Sequence, residues 1–314
     1  MRYRRFLEST HMSREEFVAA MRMRKAQYDS QFTDPQSLRI GDARRLDAAG
    51  LSTTGFTLVR HASSVPLAAM EDMTRAQARR YYAELVQVAK EQFAALPSRH
   101  GTSTPMKVHA FCDSHVIRRE SNAGSGNADD PIMFVHNDFV EAYREAVLSA
   151  FLESPDAQAE DPSAAGFHPA REAAAEMKRA GLTLPELQRS RILVLNMWRS
   201  IADADGLRRA PLALCDGRTV RPADLFAEKL APDGGELRTC SAVFSERHRW
   251  YYFPRVTPEE LLIFRTYDSD LHPFIPTLHT AFDAPGCPPH APLRVSCEAR
   301  VLVIAVPGPS AAKL

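Results

Sequence analysis

The stretch RILVLNMWRSI, residues 191–201, decides the fold. It is rich in apolar, β-favouring side chains, contains no glycine or proline, and carries no helix start signal, so it reads as a strand. The same reading repeats downstream. APLALCDGRTV (210–220) follows, with a turn at Asp216-Gly217. SAVFSERHRWYYFP (241–254) alternates and is rich in aromatics. TPEELLIFRTYDS (257–269) opens on a Thr257–Glu260 capping-box pattern and runs on into a β-like segment. PTLHTAF (276–282) and LRVSCEARVLVIAV (293–306) complete the set. Many short strands punctuated by Gly, Pro and Asp turns point to a β-barrel or a double-sheet jelly roll.

Upstream the pattern changes. SREEFVAAMRMRKAQYD (13–29) has a Ser13–Glu16 capping-box pattern and helical spacing, and TRAQARRYYAELVQVAKEQFAAL (74–96) is the longest amphipathic helix candidate. GFTLVRHA (55–62) is a short strand candidate between them. MKVHAFCDSHVIRR (106–119) alternates as a strand does, and SNAGSGNADDP (121–131) is a polar loop. PIMFVHNDF (131–139) reads as a strand entering a turn, 141–154 as a helix, 155–170 as a loop and 171–190 as weakly helical. The expectation is one domain over 1–314, mainly β with added helices. In it, 1–100 is a largely helical accessory region with one strand, and 101–310 is a jelly-roll (double-stranded β-helix, cupin-like) core with a helical insertion at about 140–190.

The chain has 314 residues, with 39 Lys plus Arg balancing 39 Asp plus Glu. No basic excess marks a nucleic-acid binder. No apolar run approaches the roughly 20 residues of a membrane span, and no signal-peptide core follows the N-terminus. A cytoplasmic location with a small-molecule partner is expected. The five cysteines show no CxxC or zinc-finger spacing, so reduced thiols are the default. The N-terminal helices can cover the barrel or mediate a homodimer.

Chemistry concentrates at His136-Asn137-Asp138. In extended chain, residues i and i+2 share a side, so the imidazole and the carboxylate can address one ion. With eleven histidines in the chain, His-x-Asp alone is close to a chance match, expected about half a time in such a sequence. Two later features add to it. His279 lies in a β-like segment with small neighbours, Thr280 and Ala281. Arg294-Val295-Ser296 puts a guanidinium and a hydroxyl on one side of an apolar strand, suited to a distal carboxylate. Two histidines and one carboxylate make the facial triad of non-haem iron, with open positions for a chelating co-substrate and O2. The alternative for Arg294 is a structural ion pair with Glu298 or Asp283.

The blocks VHNDF, LNMWRSI, PLALCDGRTV, HRWYYFP, YDSD, HTAF and LRVSCEAR resemble those of one oxygenase family, over about residues 55–305. It includes the cephalosporin C-7 hydroxylase-like proteins and the fungal hydroxylase/desaturase and gibberellin desaturase-like proteins. The resemblance implies a distorted jelly-roll enzyme using Fe(II), 2-oxoglutarate and O2 to hydroxylate or desaturate small molecules, often in natural-product pathways. It implies His136, Asp138 and His279 as metal ligands and Arg294 with Ser296 for 2-oxoglutarate. The family commonly has proline before that arginine and an acidic residue after it, where this chain has Leu293 and Val295. The family block Pro-His-Thr-Ala-Phe has Leu278 in place of its proline.

Further candidates for substrate contact are Arg118, Asn196, Trp198, Arg199, His248 and Tyr252, each with a packing or ion-pair alternative. Asp216 and Arg218 fit a turn ion pair. Two other readings stay open: a metal-dependent cupin-like enzyme that does not use 2-oxoglutarate, and a non-catalytic auxiliary partner of a tailoring enzyme.

Overall fold

The computed structural model describes residues 2–4, 33–97, 106–121, 130–153, 169–201, 205–229 and 238–308. The helix expected over 13–29, and most of the loops expected over 121–131 and 155–170, lie outside these residues. The strands, in chain order, are β1 (Arg2–Arg4), β2 (Thr33–Pro35), β3 (Ile40–Asp42), β4 (Phe56–Arg60), β5 (Met106–Phe111), β6 (His115–Arg119), β7 (His136–Asn137), β8 (Arg191–Ser200), β9 (Leu212–Cys215), β10 (Leu225–Lys229), β11 (Arg238–Ala242), β12 (Trp250–Tyr252), β13 (Glu260–Asp268), β14 (His279–Ala281) and β15 (Val295–Pro307). The α-helices are α1 (Arg75–Ala94), α2 (Tyr143–Glu153), α3 (Pro169–Arg179) and α4 (Leu184–Arg189).

Two sheets carry the fold. One has the order β10-β11-β7-β14-β9-β12-β3; the other runs β4-β13-β8-β15-β5, with β6 beside the first half of β15. They face each other across a cluster in which Trp198, Leu262 and Phe264 of one sheet meet Leu212 and Leu214 of the other. This is the jelly-roll core that the turn-rich strand pattern implied. The β1–β2 pair is separate.

The period of two along β8 and β15 divides the molecule into layers. The strands pair antiparallel, with Asn196 opposite Arg300, Trp198 opposite Glu298 and Ser200 opposite Ser296. Odd-numbered residues (Leu193, Leu195, Met197, Cys297, Ala299, Val301, Val303) turn outward and pack under α1 through Tyr81, Leu85 and Val88. Each fully buried side chain of this kind contributes about 1.5–3 kcal/mol. α1 starts at a capping box, where the Gln77 side chain accepts from Thr74 N at 2.9 Å. Even-numbered residues at the other end of the same strands (Ile192, Val194, Leu302, Ile304) are covered by the helical insertion through Tyr143, Val147, Met177 and Leu187. A bulge between Arg265 and Tyr267 shifts the β13 register. It brings Tyr267 opposite Val194, where its ring meets Tyr143 at 5.1 Å between centroids.

Two features differ from the sequence expectation. The strand expected over 131–139 shrinks to His136–Asn137 and is followed by a turn in which the buried Asn137 amide donates to Phe139 O. The first hundred residues supply β3 and β4 to the two sheets, more than the one strand expected. β3 is three residues long, too short to show a period. It pairs parallel with β12, and Gly41 is required because a Cβ there would come within 2.8 Å of the Tyr251 ring.

Candidate metal centre

His136 and His279 stand directly opposite each other on the antiparallel strands β7 and β14. Their ring centroids are 4.4 Å apart. Asp138 follows two residues after His136 and brings Oδ1 to 4.0 Å from His136 Nε2. One ligand atom from each of the three lies within 4.8 Å of the other two. The intervening Asn137 points the other way, and its amide donates to Phe139 O (2.7 Å) and Thr266 O (3.0 Å), tying the turn to β13. On the distal side, Gly55 has φ +91°, and its carbonyl accepts from Thr277 Oγ1 at 3.0 Å, two residues before His279.

The imidazoles are oriented for coordination. His136 Nδ1 lies 2.9 Å from Phe134 O, and His279 Nδ1 lies 3.1 Å from Thr277 O. A carbonyl only accepts, so each Nδ1 carries the proton and each Nε2 offers a lone pair. Burial, aided by the neighbouring His279, pushes the His136 pKa down to about 4, and burial lowers that of His279 as well. Both are neutral at physiological pH. Burial alone would raise the Asp138 pKa. The Arg300 guanidinium, the two histidines and the Asn196 amide outweigh it and hold the carboxyl well below the usual carboxylate range. Two neutral imidazoles and one carboxylate, buried together, suit a divalent first-row transition metal with open positions.

Directly before β15, Arg294 is 3% exposed. Its Nε donates to Ser296 Oγ (3.1 Å) and its Nη1 to Ala210 O (2.7 Å), and its guanidinium carbon lies 5.0 Å from the centre of the Trp198 ring. Among the described residues no carboxylate comes within ion-pair distance of it, so neither Glu298 nor Asp283 makes the pair considered above. Burial lowers its pKa to about 10. A buried guanidinium without a carboxylate is costly, and its planar fork fits an incoming one.

The remaining candidates divide by strand parity. Asn196 faces the centre and donates to Asp138 Oδ2 at 2.7 Å. Trp198 faces in, under Arg294. Arg118 pairs across from Ser296 on β6. Arg199 does not come to the site: it lies on the outer face, bonded to the carbonyls of His61 and Pro258 and to His61 Nδ1. His248 is held by Asp224 at 3.2 Å. Tyr252 packs edge-to-face on Phe282, in the cluster on the outer side of its sheet, while Tyr251 joins the inner one. Asp216 and Arg218 form the turn ion pair at 2.6 Å. Two residues beyond the sequence-based candidates, Glu298 and Arg300, also reach the centre. Arg300 Nε lies 3.0 Å from Asp138 Oδ2. Their signal is the same i, i+2 series that begins with Arg294 and Ser296.

A family model described as an oxidoreductase/YMDC permease-like domain matches residues 170–304. No helix among the described residues is long and apolar enough to cross a membrane. The chain is 28% identical over 311 residues to the Fe(II)/2-oxoglutarate-dependent dioxygenase nvfI of Aspergillus novofumigatus, covering 95% of this chain and 94% of the relative. It is 28% identical over 273 residues to the hydroxylase/desaturase efuI of Hormonema carpetanum, covering 81% and 78% respectively. The solved structure of the iron and alpha-ketoglutarate-dependent endoperoxidase NvfI superposes with a TM-score of 0.64 at 27% identity, covering 87% of each chain. With its His-Asp-His cluster in a jelly-roll core, this chain is a homologue of the fungal Fe(II)/2-oxoglutarate-dependent dioxygenases and hydroxylase/desaturases.

Proposed function

We propose that this chain is an Fe(II)- and 2-oxoglutarate-dependent oxygenase that hydroxylates or desaturates an unactivated C–H bond of a small molecule in natural-product biosynthesis. In this reading His136, Asp138 and His279 hold Fe(II), and Arg294 with Ser296 holds the distal carboxylate of 2-oxoglutarate. The observation that carries it is the buried Arg294, free of any carboxylate among the described residues, in the same barrel as a ligand-ready triad. A cupin-like enzyme that needs only a metal has no use for that cation. An auxiliary protein has no use for two histidines held with Nε2 free.

Bound Fe(II) supplies the redox chemistry by which O2 and 2-oxoglutarate generate an oxidant for C–H bonds, with succinate and CO2 released. The chain's own part is binding, orientation and exclusion of water. Arg294 and Ser296 fix one end of the co-substrate, so its oxo-acid end is directed at the triad. Trp198, Leu214 and Phe264 pack on one another between the sheets and exclude water there. Placement of the substrate carbon decides between hydroxylation and desaturation. The same reading makes 1–314 one oxygenase domain, working in the cytoplasm as a monomer or homodimer.

The test is a mass-spectrometric screen of candidate amino acids and pathway metabolites with the Fe(II)-loaded protein. A product differing by one oxygen or two hydrogens, formed only when 2-oxoglutarate is present, is the expected result. Turnover without 2-oxoglutarate would contradict it.

A further inference from the structure

The two oxygens of Asp138 are not equivalent. Oδ2 accepts two hydrogen bonds, from Asn196 Nδ2 at 2.7 Å and from Arg300 Nε at 3.0 Å. Oδ1 faces His136 Nε2 at 4.0 Å. The donors are themselves fixed. Asn196 Oδ1 accepts from Thr266 Oγ1 at 3.1 Å, which sets the amide with its NH2 toward the carboxylates. The second amide hydrogen goes to Glu298 Oε1 at 3.0 Å, and that same oxygen lies 3.9 Å from Arg300 Nη2. Asn196 and Arg300 are cross-strand partners on β8 and β15, so the sheet itself holds the two donors side by side.

We infer that Asn196 and Arg300 form a clamp that occupies Oδ2 of Asp138 and leaves Oδ1 as the single oxygen offered to the metal. The inference rests on the proposed metal site and adds positioning residues to it. A carboxylate free to swing presents both oxygens and takes a second coordination position. A facial triad works only while three positions stay open, two for a chelating oxo-acid and one for O2. Turning Asp138 to offer Oδ2 breaks two hydrogen bonds to an ionised carboxylate, one of them from a guanidinium. Glu298 is the counterweight. It takes the other Asn196 hydrogen and balances the Arg300 charge, so neither donor is drawn away from Asp138.

The test compares wild type with Asn196→Leu, Asn196→Asp, Arg300→Lys and His136→Ala, using Co(II) in anaerobic calorimetry and its ligand-field absorption as the probe. Melting of the metal-free proteins is followed in parallel. Each of the three clamp variants is expected to bind Co(II) about 10–100-fold more weakly and to show a shifted absorption spectrum. Asn196→Asp keeps the residue's size, so it reports the lost donor even if Asn196→Leu fails to fold. Wild-type affinity and spectrum in Asn196→Asp and Arg300→Lys would overturn the clamp. So would a lowered melting midpoint with an unchanged spectrum, which marks packing alone. Equal Co(II) binding by wild type and His136→Ala would overturn the metal-site reading beneath it.

Discussion

The two faces of the strands β8 and β15 are built on opposite rules. The outer face, under α1, is apolar: Leu193, Leu195, Met197, Val301 and Val303. Its buried arginine, Arg199, bonds through its two Nη groups to the carbonyls of His61 and Pro258 and to His61 Nδ1, while its Nε has no partner among the described residues. The inner face carries Asn196, Ser296, Glu298 and Arg300. Its buried arginine, Arg294, meets a hydroxyl and one carbonyl but no carboxylate among the described residues. One face is built mainly from apolar packing, and the other brings a candidate metal-ligand set and a buried cation without a carboxylate to one side of the same strands. The comparison teaches that burial of a charged side chain is not itself a mark of function. What its nitrogens touch decides.

The largest effect should come from breaking the inner face at its centre. Asp138→Ala or His279→Ala is expected to abolish 2-oxoglutarate turnover while the far-ultraviolet circular dichroism stays that of wild type. Next is the outer face. Leu195→Ala should cost about 2–5 kcal/mol of stability, read by denaturant unfolding, with Co(II) affinity unchanged. The two arginines sharpen the contrast further. Arg294→Met should raise the KM for 2-oxoglutarate about 10–100-fold, as expected for losing hydrogen bonds to a charged group worth about 1.5–3 kcal/mol. Its stability should equal or exceed that of wild type, because an incompletely paired buried charge is gone. Arg199→Met should do the reverse, destabilising by about 1–3 kcal/mol while the KM holds. The smallest effect belongs to the rim: Arg44→Ala breaks the half-exposed pair with Glu260 (2.8 Å) and should cost less than about 1 kcal/mol.

Much of the site was legible because strand periodicity converts spacing into direction. His136-x-Asp138 and Arg294-x-Ser296 each fall on one face, and the order of the blocks carried the rest. The same alternation separates Trp198 from Arg199 and Tyr251 from Tyr252. Applied residue by residue, it sends Arg199 and Tyr252 away from the centre. Glu298 and Arg300 continue the Arg294 series, but nothing in the sequence says that Arg300 meets Asp138, because that contact crosses from β15 in one sheet to the residue after β7 in the other. The His136–His279 contact is likewise a matter of register between two very short strands. β3 and β10 escaped notice because three and five residues carry too little pattern, and β3 depends on a close approach at Gly41 that only the folded chain reveals.

The most direct measurement of the central claim is succinate release from 2-oxoglutarate by the purified protein in air, with and without added Fe(II). The expected result is slow but measurable succinate formation that requires Fe(II) and is lost in His136→Ala and in Arg294→Met at low 2-oxoglutarate. Succinate formation that survives in His136→Ala, or that is absent from wild type supplied with Fe(II) and a substrate it converts, would contradict it.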